Sequence, residues 1–142
     1  MRVRPQPAAV AWHPTGMSRV LVGALLLALF AAGMWFAWLG WDHSYYDVDG
    51  VAQGPYRPWQ VVGCGVSVSA ATVFTHLRTR PPRAIPQLAA AASVGFAVPW
   101  SVDASSDVTG MWVIGLMYLL IGGFLGLTLL LGITEVVTTS KR

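Results

Sequence analysis

Four apolar stretches, none carrying a charge, divide the chain, and its polar residues gather in the short segments between them. The first, Val20 to Trp41, runs for 22 residues. At about 1.5 Å per residue this reaches across a hydrocarbon core of roughly 30 Å. The second, Trp59 to Leu77, is β-branched and locally strand-like, but a run of 19 uncharged residues is too long for an ordinary strand and predicts a spanning helix. The third, Ala84 to Val102, places Pro86 in a first turn, where proline is tolerated, and Pro99 near the end, where it is expected to kink or stop the helix. The fourth, Met111 to Thr134, is strongly apolar and long enough to span with some tilt. The pattern therefore predicts helices over 20–41, 59–77, 84–102 and 111–134. It gives an all-α membrane protein, an antiparallel bundle of four transmembrane helices between a flexible tail of residues 1–19 and a short tail of residues 135–142.

Composition agrees: 55% of the 142 residues are hydrophobic and 11% charged, too few charges to coat a soluble globule and too many apolar residues for disorder. A formal charge of +3 would suggest nucleic acid in a soluble protein. Here the basic residues flank apolar runs and read as topology, with the lipid bilayer as partner and no nucleic acid. Arg2, Arg4 and Arg19 precede the first stretch, Arg78, Arg80 and Arg83 separate the second from the third, and Lys141 and Arg142 follow the fourth. Only Arg57 falls in an opposite-side segment, so both termini and the middle turn are expected to be cytoplasmic. Trp38, Trp41, Trp59, Trp100 and Trp112 then form an aromatic belt at the outer boundary, with Trp35 a turn deeper and Trp12 inside. A cleaved signal peptide fits poorly, because the first run is long and ends in the bulky WFAWLGW.

The single cysteine, Cys64, excludes an intramolecular disulfide, a CxxC redox pair and a cysteine-rich metal site. Its neighbours Gly63 and Gly65 suggest a small packed residue. Helices in lipid associate through close packing of small residues. Gly63 and Ser67 on the second helix and Gly122 and Gly126 on the fourth are the expected packing positions, beside Ala24, Ala28 and Ala32 on the first and Ala89, Ser93 and Ala97 on the third. Gly122 and Gly126 suit either a contact inside the bundle, the favoured reading, or the seam of a homo-oligomer.

Candidate chemistry lies mainly in the outer loops. Asp42, Asp47, Asp49, His43 and three tyrosines share the first, and Asp103 and Asp107 the second. Asp47, Asp49, Asp103 and Asp107 are the acids that would hold Ca2+ or Mg2+ if the loops meet. An EF-hand is excluded, since Pro58 stands where its closing Glu is required. The bland alternative is that these acids solvate loops, with Asp107 or Thr109 capping the fourth helix. Trp35, Trp38, Trp41, Tyr45, Tyr46 and Trp112 beside the acids would also suit an organic cation, against the simpler aromatic belt.

The size is similar to that of small four-helix multidrug exporters, yet their embedded Glu in the first helix has no counterpart in Val20 to Trp41. Glu135 is the only acid near a helix and sits at the membrane edge, and His76 reads as a helix C-terminal interaction. The membrane segments supply no base except His76, on the other side of the bilayer from Cys64, and phosphate-binding loops are absent, so no enzyme is expected. Arg outnumbers Lys eight to one, and Ala, Gly and Val abound, as in high-GC bacterial genomes. Through YYDVDG, GPYRPWQVVGC and DVTGMW the whole chain resembles uncharacterised small four-span integral membrane proteins of high-GC Gram-positive bacteria. That resemblance implies the bacterial cytoplasmic membrane and no particular activity. The expected role is an accessory or scaffold subunit acting through other membrane proteins or its own copies. The alternative is a small cation transporter or channel with an acidic, aromatic mouth.

Overall fold

Inside hydrocarbon a backbone can bond only to protein, so long uncharged stretches fold as helices. The computed structural model describes residues 16–41 and 44–141. It contains helices α1 (Gly16–Trp38), α2 (Pro58–Thr79), α3 (Ile85–Ala104) and α4 (Trp112–Ser140). A two-stranded hairpin, β1 (Tyr46–Val48) with β2 (Val51–Gln53), lies between α1 and α2, and one 3-10 turn, Pro82–Ala84, leads into α3. All four helices are long and apolar enough to cross a membrane.

The helix ends differ from the apolar runs for local reasons. Helix α1 is already formed at Gly16 and closes at Trp38, where the Trp35 carbonyl accepts from both Leu39 N–H (2.8 Å) and Gly40 N–H (2.9 Å). The tightened turn leaves Trp41 outside the helix. Pro58 opens α2 at a position that needs no N–H, and Arg57 N–H donates to Gln60 Oε1 at 2.8 Å. Arg80 ends α2 in a left-handed conformation (φ 65°) with its N–H on the His76 carbonyl. Pro99 does not stop α3, which continues to Ala104; a membrane helix tolerates an interior proline because neighbouring helices support it. Residues 135–140, expected as tail, are helical. Thr134 and Thr138 bond back to the Leu130 and Thr134 carbonyls at 2.8 Å, and no proline or glycine interrupts the segment. The hairpin follows from Asp49-Gly50, both at positive φ (55° and 80°), as a tight two-residue connection requires.

Packing centres on α3, which packs most extensively against α1 and also meets α4. Leu27, Ala31 and Trp35 of α1 and Leu88 and Ala92 of α3 are buried in this core. A Cβ on Gly95 would fall on the backbone of Ala28, so only glycine permits this approach. Gly63 behaves as expected: the Trp38 ring lies where its Cβ would be, 2.5 Å from the nearest ring atom. Ser67 turns its hydroxyl back to the Gly63 carbonyl at 2.8 Å. The favoured placement of Gly122 and Gly126 inside the bundle needs correction. A Cβ on either would meet nothing within 4 Å, because α4 presents the adjacent Gly123 to Ser93 of α3 instead.

Helix α2 meets α3 and α4 more sparingly than α1 meets α3. An apolar groove of about 410 Å³ remains between them, lined by Cys64, Val68, Phe96 and Leu127 among others. Ser93 Oγ lies in this lining without a hydrogen-bond partner. The contacts also pair the helix ends. Gly23 near the start of α1 lies beside Thr75 and Thr79 near the end of α2, while Trp38 near the end of α1 lies beside Trp59 and Gly63 near the start of α2.

Candidate functional site

Of the four acids chosen from the sequence, three accept hydrogen bonds from the chain itself and the fourth lies in a turn. Asp47 Oδ1 accepts from Gly50 N–H at 2.7 Å and closes the hairpin turn. Asp49 supplies that turn's positive φ and is exposed. Asp103, in the last turn of α3, accepts from the Tyr56 hydroxyl at 3.2 Å, tying the segment before α2 to the end of α3. Burial first, then the Asp103 charge and hydrogen bond, push the Tyr56 phenol up to about 12. Asp107 accepts from the Thr109 hydroxyl (2.6 Å) and N–H (3.0 Å), which hold its carboxyl below the usual range. Neither Asp107 nor Thr109 caps α4 as expected: Met111 precedes the helix without a side-chain cap, and Thr109 Oγ1 accepts the Met111 N–H at 3.3 Å.

Among the described residues no three His, Cys, Asp or Glu side chains gather into a group able to hold a metal ion. Asp42 and His43 lie outside the described residues. The tryptophans come together at the same end. Trp38 and Trp59 meet edge to face with centroids 6.2 Å apart, and Trp100 covers Gly115 near the start of α4. Trp41 is exposed, with its indole N–H on the Ala37 carbonyl, and Trp112 begins α4 half-buried. Trp35 differs: only 4% exposed, it belongs to the core, and its indole nitrogen has no partner.

The opposite end holds a site that sequence reasoning missed. The buried residues of α2 are Gln60, Cys64, Val68, Thr72 and His76, four apart throughout, so one face of the helix points inward and three of its five residues are polar. Thr72 satisfies itself on the Val68 carbonyl at 2.7 Å. His76, 1% exposed, reaches across to α4, where Nε2 lies 3.0 Å from Glu135 Oε2. Its Nδ1 is buried without a partner. Glu135 is 31% exposed and faces a cavity of about 430 Å³ lined also by Leu77, Arg80, Thr138, Thr139 and Lys141.

This pair joins two helices that touch little elsewhere. Buried ionisable groups in membrane helices cost free energy unless paired, and they gather where an ion, a proton or a polar ligand is handled. The signal was present in the sequence. If the helices alternate in direction, the ends of the second and fourth apolar runs share one side of the membrane, which puts His76 and Glu135 at similar depth. Judging each residue against its own helix end hid the pair. No family model matches the chain, and no curated protein or solved structure matches it either.

Proposed function

We propose that the chain is a multi-pass protein of the bacterial cytoplasmic membrane, an antiparallel four-helix bundle with both termini and the Arg78 to Arg83 turn on the cytoplasmic side. It works without catalysis, as an accessory or scaffold subunit held by other membrane proteins or by further copies of itself. The observation that carries this reading is the uncovered face of α4. This is the longest helix of the four at 29 residues, only Leu131 on it is buried, and Gly122 and Gly126 meet nothing within 4 Å. Exposed backbone at paired glycines is where a second membrane helix approaches closely. The basic residues at one end and the tryptophans at the other support the orientation.

The test is purification from native membranes of the wild-type chain and of a Gly122→Ile, Gly126→Ile double variant. A stoichiometric partner, or a second copy, accompanies the wild type and is lost from the variant. A monomer recovered alone in both preparations overturns the reading, and an alkaline phosphatase fusion active at the C-terminus overturns the orientation. His76 with Glu135 favours a second reading, a small cation transporter in which the pair carries a proton. Proteoliposomes showing a cation flux that Glu135→Gln abolishes would establish that reading in place of the first.

A further inference from the structure

The cavity beside His76 and Glu135 has a charge pattern of its own. Among the described residues its lining carries two cations, Arg80 and Lys141, and one acid, Glu135. The acid is engaged by His76 Nε2 at 3.0 Å. Neither Arg80 nor Lys141 has an ion-pair partner among the described residues. Counting His76 as neutral, the lining sums to two positive charges against one negative, and the negative one already has a donor. The cations are held at fixed places by the backbone: Arg80 ends α2 in its left-handed turn, and Lys141 directly follows the last residue of α4. Thr138 and Thr139 add hydroxyls to the wall, and at about 430 Å³ the space exceeds what a single ordered water needs many times over.

This cavity opens at the ends of two helices long enough to span a bilayer, the depth at which phosphate headgroups lie. Basic pockets between transmembrane helices at that level recognise anionic headgroups. We propose that the cavity is a binding site for the phosphate of an anionic phospholipid. Arg80 and Lys141 contact the phosphate oxygens, and Thr139 lies within the same wall to donate a hydroxyl. The His76 to Glu135 contact has a second consequence here, since it draws the lining's carboxylate among the described residues toward α2 and lowers its repulsion of the incoming phosphate. The site is independent of what the α4 face binds.

The test uses the full chain in mild detergent, with bound lipid counted by native mass spectrometry during titration with phosphatidylglycerol, with phosphatidylcholine and with inorganic phosphate. Each cation near a headgroup contributes roughly a fivefold preference for anionic lipid, so Arg80→Gln with Lys141→Gln should weaken phosphatidylglycerol binding roughly 25-fold. Phosphatidylcholine retention should not change. Arg19→Gln with Arg83→Gln removes the same net charge outside the cavity and should leave phosphatidylglycerol binding within about twofold. Both pairs of substitutions fall on exposed side chains, and circular dichroism checks that each variant is folded. Equal losses in the two double variants would reduce the effect to bulk charge and overturn the site. Binding of inorganic phosphate in competition with the lipid would make it a soluble-anion site, and equal retention of the two lipids would remove the charge argument; either result overturns the proposal.

Discussion

Helix α1 meets α3, and helix α2 meets α3 and α4, by opposite means. Helix α1 lies on α3 backbone to backbone, with Gly95 against Ala28 and buried Ala31 and Ala92 keeping the approach short. Helix α2 is fastened near its two ends by polar contacts, Tyr56 to Asp103 just before it begins and His76 to Glu135 just before it finishes. Between those points it leaves a groove of about 410 Å³ against α3 and α4. Dispersion grows with every atom in contact, so the first seam draws its strength from many small terms. The second has fewer such terms, since α2 packs mainly on α1 and meets α3 and α4 sparingly, so its two hydrogen bonds carry a larger share there. Each such bond in a membrane contributes on the order of 1 kcal/mol, because the separated helices also find partners. A seam of many contacts resists loss of any one of them, whereas a two-point fastening can open at one end. The α1–α3 seam is thus closely packed, and the side of α2 that faces α3 and α4 is sparsely packed.

The largest effect belongs to the rigid seam. Gly95→Leu forces a branched side chain into the backbone of Ala28 and should cost at least the upper part of the roughly 1–3 kcal/mol range for overpacking. Gly122→Leu, on the open face of α4, should leave the monomer's stability within about 0.5 kcal/mol. Unfolding midpoints in detergent compare the two directly. Equal losses would mean that α1 and α3 are no more closely seated than the face of α4.

Next in size is the His76 to Glu135 fastening. Glu135→Ala should destabilise by about 1–2 kcal/mol, the upper end for interhelical hydrogen bonds. In a double-mutant cycle with His76→Ala, the coupling should be about 0.6–1.7 kcal/mol. Cysteine crosslinking between the last turns of α2 and α4 should weaken in Glu135→Ala while crosslinks between α1 and α3 persist. Zero coupling would leave α2 without its second fastening and dissolve the contrast.

How much of this contrast the sequence carries depends on the kind of contact. The four helices were legible, because uncharged length alone decides a span. The start of α2, within one residue of its apolar run, and the small-residue role of Gly63 were legible for local reasons. The hairpin was not legible, since the three-residue strands beside its Asp49-Gly50 turn are too short to show an alternation. Which glycines face inward was not legible. Gly122 and Gly123 differ by one position, and rotation of a helix about its axis is set by its neighbours. His76 and Glu135 stand 59 residues apart, so no local pattern joins them. The acids of the loops were recognisable as polar rim residues, but whether they face one ion or their own turns depends on loop geometry that sequence spacing leaves open.

A smaller effect sharpens the picture at the other end of α2. Tyr56→Phe removes the hydrogen bond to Asp103, for a loss of about 0.5–1.5 kcal/mol near neutral pH. The pH dependence then reports the phenol's burial first and its contact with Asp103 second. Folding raises the phenol from an ordinary value of 10.0 to about 12. An unfolded chain releases that proton first, so its stabilising share is complete below pH 10 and is lost as pH rises through about 12. The wild type should lose more stability than Tyr56→Phe across that window, and tyrosinate absorbance should show one phenol titrating late. Parallel curves would remove the bond from the account of α2.

The smallest effect separates the loop joining α3 to α4 from both seams. Asp107 is fully exposed and holds only Thr109, so Asp107→Ala should leave the unfolding midpoint unchanged and speed amide exchange at Thr109 alone. Its carboxyl is depressed below 3.8 by the Thr109 hydroxyl first and the Thr109 N–H second. The protection is therefore complete above pH 3.8 and is lost as pH falls through the lowered value, once exchange is corrected for its intrinsic pH dependence. The same residue was one of four acids suited to a divalent cation, and the two roles part company in one titration. An ion held by Asp47, Asp49, Asp103 and Asp107 would raise the melting temperature with Ca2+ by mass action on the folded state, and Asp49→Asn would abolish the rise. A carboxylate already committed to its own turn gives no rise. The expected result is a flat response to millimolar Ca2+ and Mg2+, and a rise that Asp49→Asn removes would show that the loops close over an ion that their own hydrogen bonds do not require.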